Sequence, residues 1–95
     1  MNLHTFLTDS DKAVKTQNIL KSTGNATLLR LKKDGLLDKH QSKNKALLVL
    51  LSGHAVYEED GRSVDLKAVH DFVEIPEKVT HQLVGKADSL LLLIQ

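Results

Sequence analysis

The segment Ala46-Leu47-Leu48-Val49-Leu50-Leu51-Ser52-Gly53-His54-Ala55-Val56-Tyr57-Glu58-Glu59-Asp60-Gly61-Arg62-Ser63-Val64-Asp65-Leu66 sets the fold class. It opens on a six-residue apolar run, breaks at Ser52-Gly53, and resumes on both sides of Asp60-Gly61. An Asp-Gly dipeptide between two short patterned runs is a hairpin signal, and it predicts a type I′ turn. The same punctuation continues outward. Asp34-Gly35 marks a turn before the segment, and Pro76 and Gly85 mark breaks after it. The intervals predict strands over 26–32, 36–42, 46–51, 72–75, 80–84 and 90–94, besides the hairpin. Many short strands at this spacing read as an all-β sandwich or barrel.

Ala46–Leu51 and Leu90–Ile94 do not alternate apolar with polar residues. A strand with one solvated face would alternate, so both faces of these two strands are expected to be buried. A barrel of this size covers one face only. The other requires the N-terminal segment or a second copy of the chain, because monomers rarely leave such a patch bare.

Leu, Ile, Val and Phe supply 31 of the 95 residues, which excludes disorder. The length allows one small domain, and such a domain buries only about 60–65% of its unfolded surface. A partner subunit would add burial. There is no Cys, hence no disulfide, thiolate nucleophile or Cys-ligated metal. Phe6, Tyr57 and Phe72 are the only aromatics, too few to stack single-stranded nucleic acid, and a net charge of +1 draws in neither nucleic acid nor an acidic membrane. The charge is uneven: residues 1–50 carry a net +5 and residues 51–95 a net −4. Met1–Lys12 lacks a signal-peptide pattern, and no apolar run approaches the roughly 20 residues of a membrane span. A cytoplasmic protein is expected. Asp9–Leu20 is expected to be a short helix capped by Ser10 or an extended arm, making 1–25 an N-terminal arm and 26–95 the barrel domain.

The five histidines are His4, His40, His54, His70 and His81. None forms a local zinc signature. The context of two of them is informative. Gly35, His40, Ser42, Ala46 and Gly53 fall along the pattern G-x5-H-x-H-x3,4-E-x6-G, with one residue missing from the first gap. His70, Pro76, Lys78, His81 and Gly85 fall along G-x5-P-x-G-x2-H-x3-N. These two stretches resemble the paired motifs of the cupin superfamily, and Ala87–Ile94 resembles the last strand of small single-domain cupins. The resemblance covers residues 26–95 and implies a double-stranded β-helix, or jelly-roll, barrel.

The resemblance also implies a metal held by three His and one Glu inside the barrel. This chain matches that set at His40 and His81 only; Ser42 and Ala46 stand at the other two positions. Two imidazoles could hold a divalent ion such as Zn, Ni, Fe or Mn weakly, with waters completing the shell. Alternation puts Gln41 on the face opposite His40 and Ser42. Without the metal, the same residues would line a small-molecule pocket made of His40, Ser42, Leu48, Phe72, His81 and Leu83. Three functions follow as expectations: a small-molecule-binding cupin, a metal-dependent isomerase or dioxygenase, or a dimeric regulatory barrel without a site. The loss of two ligand positions favours the first and third. The cluster Lys32, Lys33, Lys39, Lys43 and Lys45 either solvates strand ends or attracts phosphate-bearing ligands. Cupin-like chains commonly dimerise through the outer face of one sheet, so a homodimer is expected.

Overall fold

A computed structural model describes residues 2, 3, 5 and 12–95. Among these the chain forms nine strands and no α-helix: β1 (Val14–Lys21), β2 (Asn25–Leu31), β3 (Leu36–Gln41), β4 (Ala46–Ser52), β5 (Ala55–Glu59), β6 (Arg62–Leu66), β7 (Phe72–Ile75), β8 (Thr80–Gly85) and β9 (Ser89–Ile94). They build two facing antiparallel sheets, ordered β1-β2-β9-β4-β7 and β3-β8-β5-β6. β2 lies beside β9 and β3 beside β8, pairings between strands far apart in sequence, which make this the jelly-roll that the resemblance implies.

The core lies between the sheets. Leu29, Leu31, Leu48, Leu50 and Leu91 come from the five-stranded sheet, and Tyr57, Leu66 and Leu83 from the four-stranded one; all are buried. β4 and β9 are central in their sheet, which is why they are apolar throughout. Ala46, Leu48 and Leu50 point inward, while Leu47, Val49 and Leu51 are half-buried on the outer face. Leu91 faces in and Leu90 and Leu92 face out.

The structure decides between the two readings of residues 9–20 and corrects the expected turn type. Residues 14–20 are not helical: they lie in β1, which pairs antiparallel with β2 through Val14↔Leu31 to Lys21↔Asn25. Val14, Thr16 and Ile19 are β-branched and lose rotamer freedom in a helix; here Val14 and Thr16 pair with Leu31 and Leu29, and Ile19 falls at a bulge in the strand. Residues 9–11 of the expected helix lie outside the described residues. The β5–β6 hairpin has the expected two-residue loop, since Glu59 pairs with Arg62. However, only Gly61 has positive φ, at 78°. A type I′ turn needs positive φ at both central residues, whereas a type II turn needs it at the second alone, so this turn follows the type II pattern.

Gly53 sits at φ 95°, and a Cβ there would meet Asp88 O at 2.3 Å and Ser89 Cα at 2.6 Å. No other residue fits without moving the β8–β9 turn. His70 and Lys78 occupy motif positions where the pattern has Gly, and both have positive φ, 80° and 61°. The backbone shape that Gly serves has been kept while the side chain has changed.

Candidate functional site

Two strands carry the polar centre of the barrel. β3 pairs with β8 through Leu37↔Leu83 and His40↔His81, with a bulge between Leu37 and His40 that places one extra residue on β3. Strict alternation from Leu37 would aim Lys39 inward. The bulge shifts the parity by one, so that Leu37 and His40 both face the cavity. His81 and Leu83 need no such shift, being two apart on β8 and both buried.

The two imidazoles meet at their tips. His40 Nε2 and His81 Nε2 are 2.9 Å apart, and the rings lie edge to face with centroids 4.1 Å apart. Each Nδ1 is tied to the backbone: His40 Nδ1–H donates to Asp38 O at 2.8 Å, and His81 Nδ1–H donates to Val79 O at 3.0 Å. A carbonyl only accepts, so both Nδ1 atoms hold protons. The facing Nε2 atoms then either oppose two lone pairs or share one proton. His81 is 4% exposed. Burial pushes its pKa down, and a charged His40 pushes the same way, against the Val79 carbonyl and the Glu59 carboxylate.

Around this pair lies a cavity of about 360 Å³. Its aliphatic walls include Leu29, Leu37, Leu48, Ile75, Leu83 and Leu93, and its polar rim is Asn25, Gln41, Ser42, Lys43, Asn44 and Gln95. Ser42 Oγ lies 2.6 Å from Asn44 O and 3.1 Å from Gln95 Oε1. The structure brings together His40, Ser42, Leu48, His81 and Leu83. It does not bring in Phe72. That ring is 60% exposed, pairs with Val49 on the outer face, and leaves its neighbour Val73 to fill the core. The expectation slipped by one residue, which in a strand is a change of face. Gln41 is a second correction: it reaches the rim, its Nε2 donating to Thr80 Oγ1 at 3.0 Å. His54 is elsewhere, 2.5 Å from Asp65, and His70 is exposed.

Tyr57 was absent from the expected site. It is fully buried, lines the cavity, and lies 5.5 Å from the His81 ring. Its hydroxyl donates to Glu59 Oε2, while Arg62 Nε holds Glu59 Oε1 at 3.0 Å. Burial, then the bond to Glu59, pushes the Tyr57 pKa up to about 12. The Tyr57 bond, then Arg62, holds Glu59 below the usual carboxylate range. Alternation along β5 from the buried Ala55 would have pointed to it.

The donor set can be tested against the metal that the motifs imply. Two nitrogens 2.9 Å apart suit adjacent ligands of one ion at metal–nitrogen distances of about 2.0–2.1 Å. The Nδ1–carbonyl bonds orient both rings as ligand histidines require. The set stops there. Ala46 offers a methyl group, Ser42 is engaged with Asn44 and Gln95, and no group of three His, Cys, Asp or Glu comes together among the described residues. The residues present do not fit a three- or four-ligand centre.

The sequence matches no family model and no curated protein. Its structure matches solved ones closely. A cupin superfamily protein from Desulfitobacterium hafniense superposes with TM-score 0.87 at 20% identity, over 100% of this chain and 87% of that one. A cupin-2 domain containing protein from Shewanella frigidimarina gives 0.81 at 12% identity, over 100% and 92%. KdgF from Halomonas sp. gives 0.76 at 18% identity, over 90% and 82%. No described helix is long and apolar enough to cross a membrane. Nine strands in jelly-roll order, two motif histidines in contact and these superpositions agree: the chain has the fold of the cupin superfamily.

Proposed function

We propose that this protein is a small-molecule-binding cupin whose ligand sits in the barrel cavity against His40 and His81. One observation carries the reading: two imidazoles, fixed by backbone carbonyls, present their Nε2 atoms over an aliphatic floor in a cavity of about 360 Å³. Ligand pockets combine apolar walls with a few oriented polar groups, and their volumes run from about 300 to 1,000 Å³. The pair offers one acceptor or one shared proton, enough to orient a ligand. A divalent ion would be held at two points only, weakly, with water in its remaining positions. A metal-dependent isomerase or dioxygenase is disfavoured by that donor count.

The protein is further proposed to work as a homodimer through the outer face of the five-stranded sheet. Leu47, Val49, Leu90, Leu92, Ile94, Phe72 and Leu20 share that face, and the last three are 43%, 60% and 64% exposed. Self-association on a two-fold axis would cover them.

A saturation-transfer NMR screen of small polar compounds tests the binding reading. Compounds that bind the wild type should lose their signal with His40→Ala, an exposed position whose truncation leaves the core intact. Hits that persist unchanged would overturn the site.

A further inference from the structure

We propose that the cavity takes a small uncharged aliphatic alcohol, its hydroxyl on the His40–His81 pair and its hydrocarbon on the leucine floor. This rests on the binding reading above and names its ligand class.

The lining is graded by depth. His40, Gln41, Lys43, Asn44 and Gln95 are exposed and form the rim. Leu29, Ala46, Leu48, Ile75 and Leu83 are buried, and all five are aliphatic. Only Tyr57 and His81 bring polar atoms among the buried lining side chains. The Tyr57 hydroxyl is turned onto the Glu59 carboxylate. His81 is tied through Nδ1 to Val79 O, which leaves its Nε2 beside His40 Nε2 at 2.9 Å. The buried part of the lining therefore offers a ligand one hydrogen-bonding point, the paired imidazole tips, above an aliphatic floor.

Charge narrows the class. No Asp or Glu lines the cavity among the described residues, and the motif position that carries Glu holds the methyl group of Ala46. A cation brought to the floor would find no carboxylate. Lys43 is the only Lys or Arg of the lining, and it is exposed at the rim. A carboxylate brought to the floor would lose its water without gaining that ammonium, and an unpaired charge pays heavily for such a transfer.

The proton count selects among neutral groups. Both Nδ1 atoms hold protons, so the facing Nε2 atoms either oppose two lone pairs or share one proton. A hydroxyl donates to the first arrangement and accepts from the second, whereas a ketone only accepts. Size sets the limit. Liquid water takes about 30 Å³ per molecule, so a cavity of about 360 Å³ admits no more than roughly a dozen non-hydrogen atoms.

Four probes on one carbon skeleton separate these features: 4-methylpentan-2-ol, 4-methylpentan-2-one, 4-methylpentan-2-amine and 4-methylpentanoate. Each is titrated into the full chain, with a chelator present, while the Leu and Ile methyl resonances are followed by NMR. The alcohol should bind tightest and shift Leu48, Ile75 and Leu83. The ketone should bind about fivefold more weakly, the size of one net hydrogen bond. His40→Phe keeps a ring and removes the nitrogens, and it should bring alcohol and ketone level. A ketone that equals the alcohol in the wild type would overturn the hydroxyl assignment without recourse to any variant. A carboxylate that binds tightest and is weakened by Lys43→Gln, or an amine that binds tightest, would overturn the neutral class while leaving the cavity as a binding site. Shifts with none of the four probes would overturn both.

Discussion

Replacing Tyr57 by Phe isolates one hydroxyl at no cost in volume. Tyr57 is fully buried, and its hydroxyl donates to a Glu59 carboxylate that Arg62 also grips. A hydrogen bond to a charged partner contributes about 1.5–3 kcal/mol. Tyr57→Phe should therefore lower stability by about 2 kcal/mol, or roughly 8–16 °C in melting temperature for a domain this size. Its pH dependence provides a check. Glu59 has a folded pKa below its unfolded one, so its contribution is present above about pH 4.5 and fades as pH falls through the folded value. The gap between wild type and Tyr57→Phe should shrink in acid. At the alkaline end the sign reverses. Tyr57 rises from 10.0 to about 12 on folding, so its contribution is whole below pH 10 and is lost as pH climbs towards 12. Two pH units correspond to about 2.7 kcal/mol. Burial is the larger part of that shift, so the Phe variant, which has nothing to ionise, should lose this alkaline sensitivity altogether. Tyr57 is the only tyrosine and there is no Trp, so absorbance at 295 nm follows this one phenol. Urea melts by circular dichroism supply the stabilities. A phenol titrating near 10 in the folded protein, or a Tyr57→Phe cost under about 0.5 kcal/mol at neutral pH, would refute the Tyr57–Glu59–Arg62 bridge.

Three other outcomes are expected. Lys78→Gly and His70→Gly should each stabilise the fold by about 0.5–1 kcal/mol in thermal melts, because a side chain at positive φ costs about 1–2 kcal/mol and Gly returns part of that as unfolded-state entropy. Zn or Ni titrated calorimetrically at pH 7.5 should bind with a Kd of about 1 µM or weaker and release in acid, since imidazole ligands must be deprotonated; tight binding that survives acid would mean further ligands. Sedimentation at micromolar concentration should give twice the 10.5 kDa chain mass, and Leu47→Asp should dissociate it; a monomer throughout would refute the dimer. Leu91 cannot serve in that test, since it is fully buried between the sheets.

Turn chemistry was the readable part of this sequence. Gly53 stands where a Cβ would strike Asp88 and Ser89, and Asp60-Gly61 stands where two strands reverse in two residues; both constraints are local, so both show in the residues themselves. The convergence of His40 and His81 was readable only through the motif register, since 41 positions separate them. What stayed hidden depends on partners outside the local window. β1 carries Lys15, Gln17 and Lys21 among its β-branched residues, and nothing in that pattern says that β2 will offer it an edge. Phe72 looked like core because it is the largest apolar residue of its strand. Its face is set by pairing with Val49, and Val49 points outward.

The bulge in β3 shows how one backbone irregularity decides what the barrel can hold. Strict alternation from the inward Leu37 would carry Lys39 into the interior and leave His40 outside. An ammonium there would face a cavity whose lining offers it no carboxylate partner. With one extra residue, Lys39 turns out and His40 meets His81 tip to tip. The gap from Gly35 to His40 is one residue short of the motif, which in a regular strand would turn the histidine to the other face; the bulge turns it back. Gly35 N–H bonds to Lys32 O and its carbonyl takes Gly85 N–H, so the start of β3 is pinned to the end of β8. Between that pin and the histidine pair the strand shifts its register by one residue at the bulge, and the polar centre of the site follows from that local geometry.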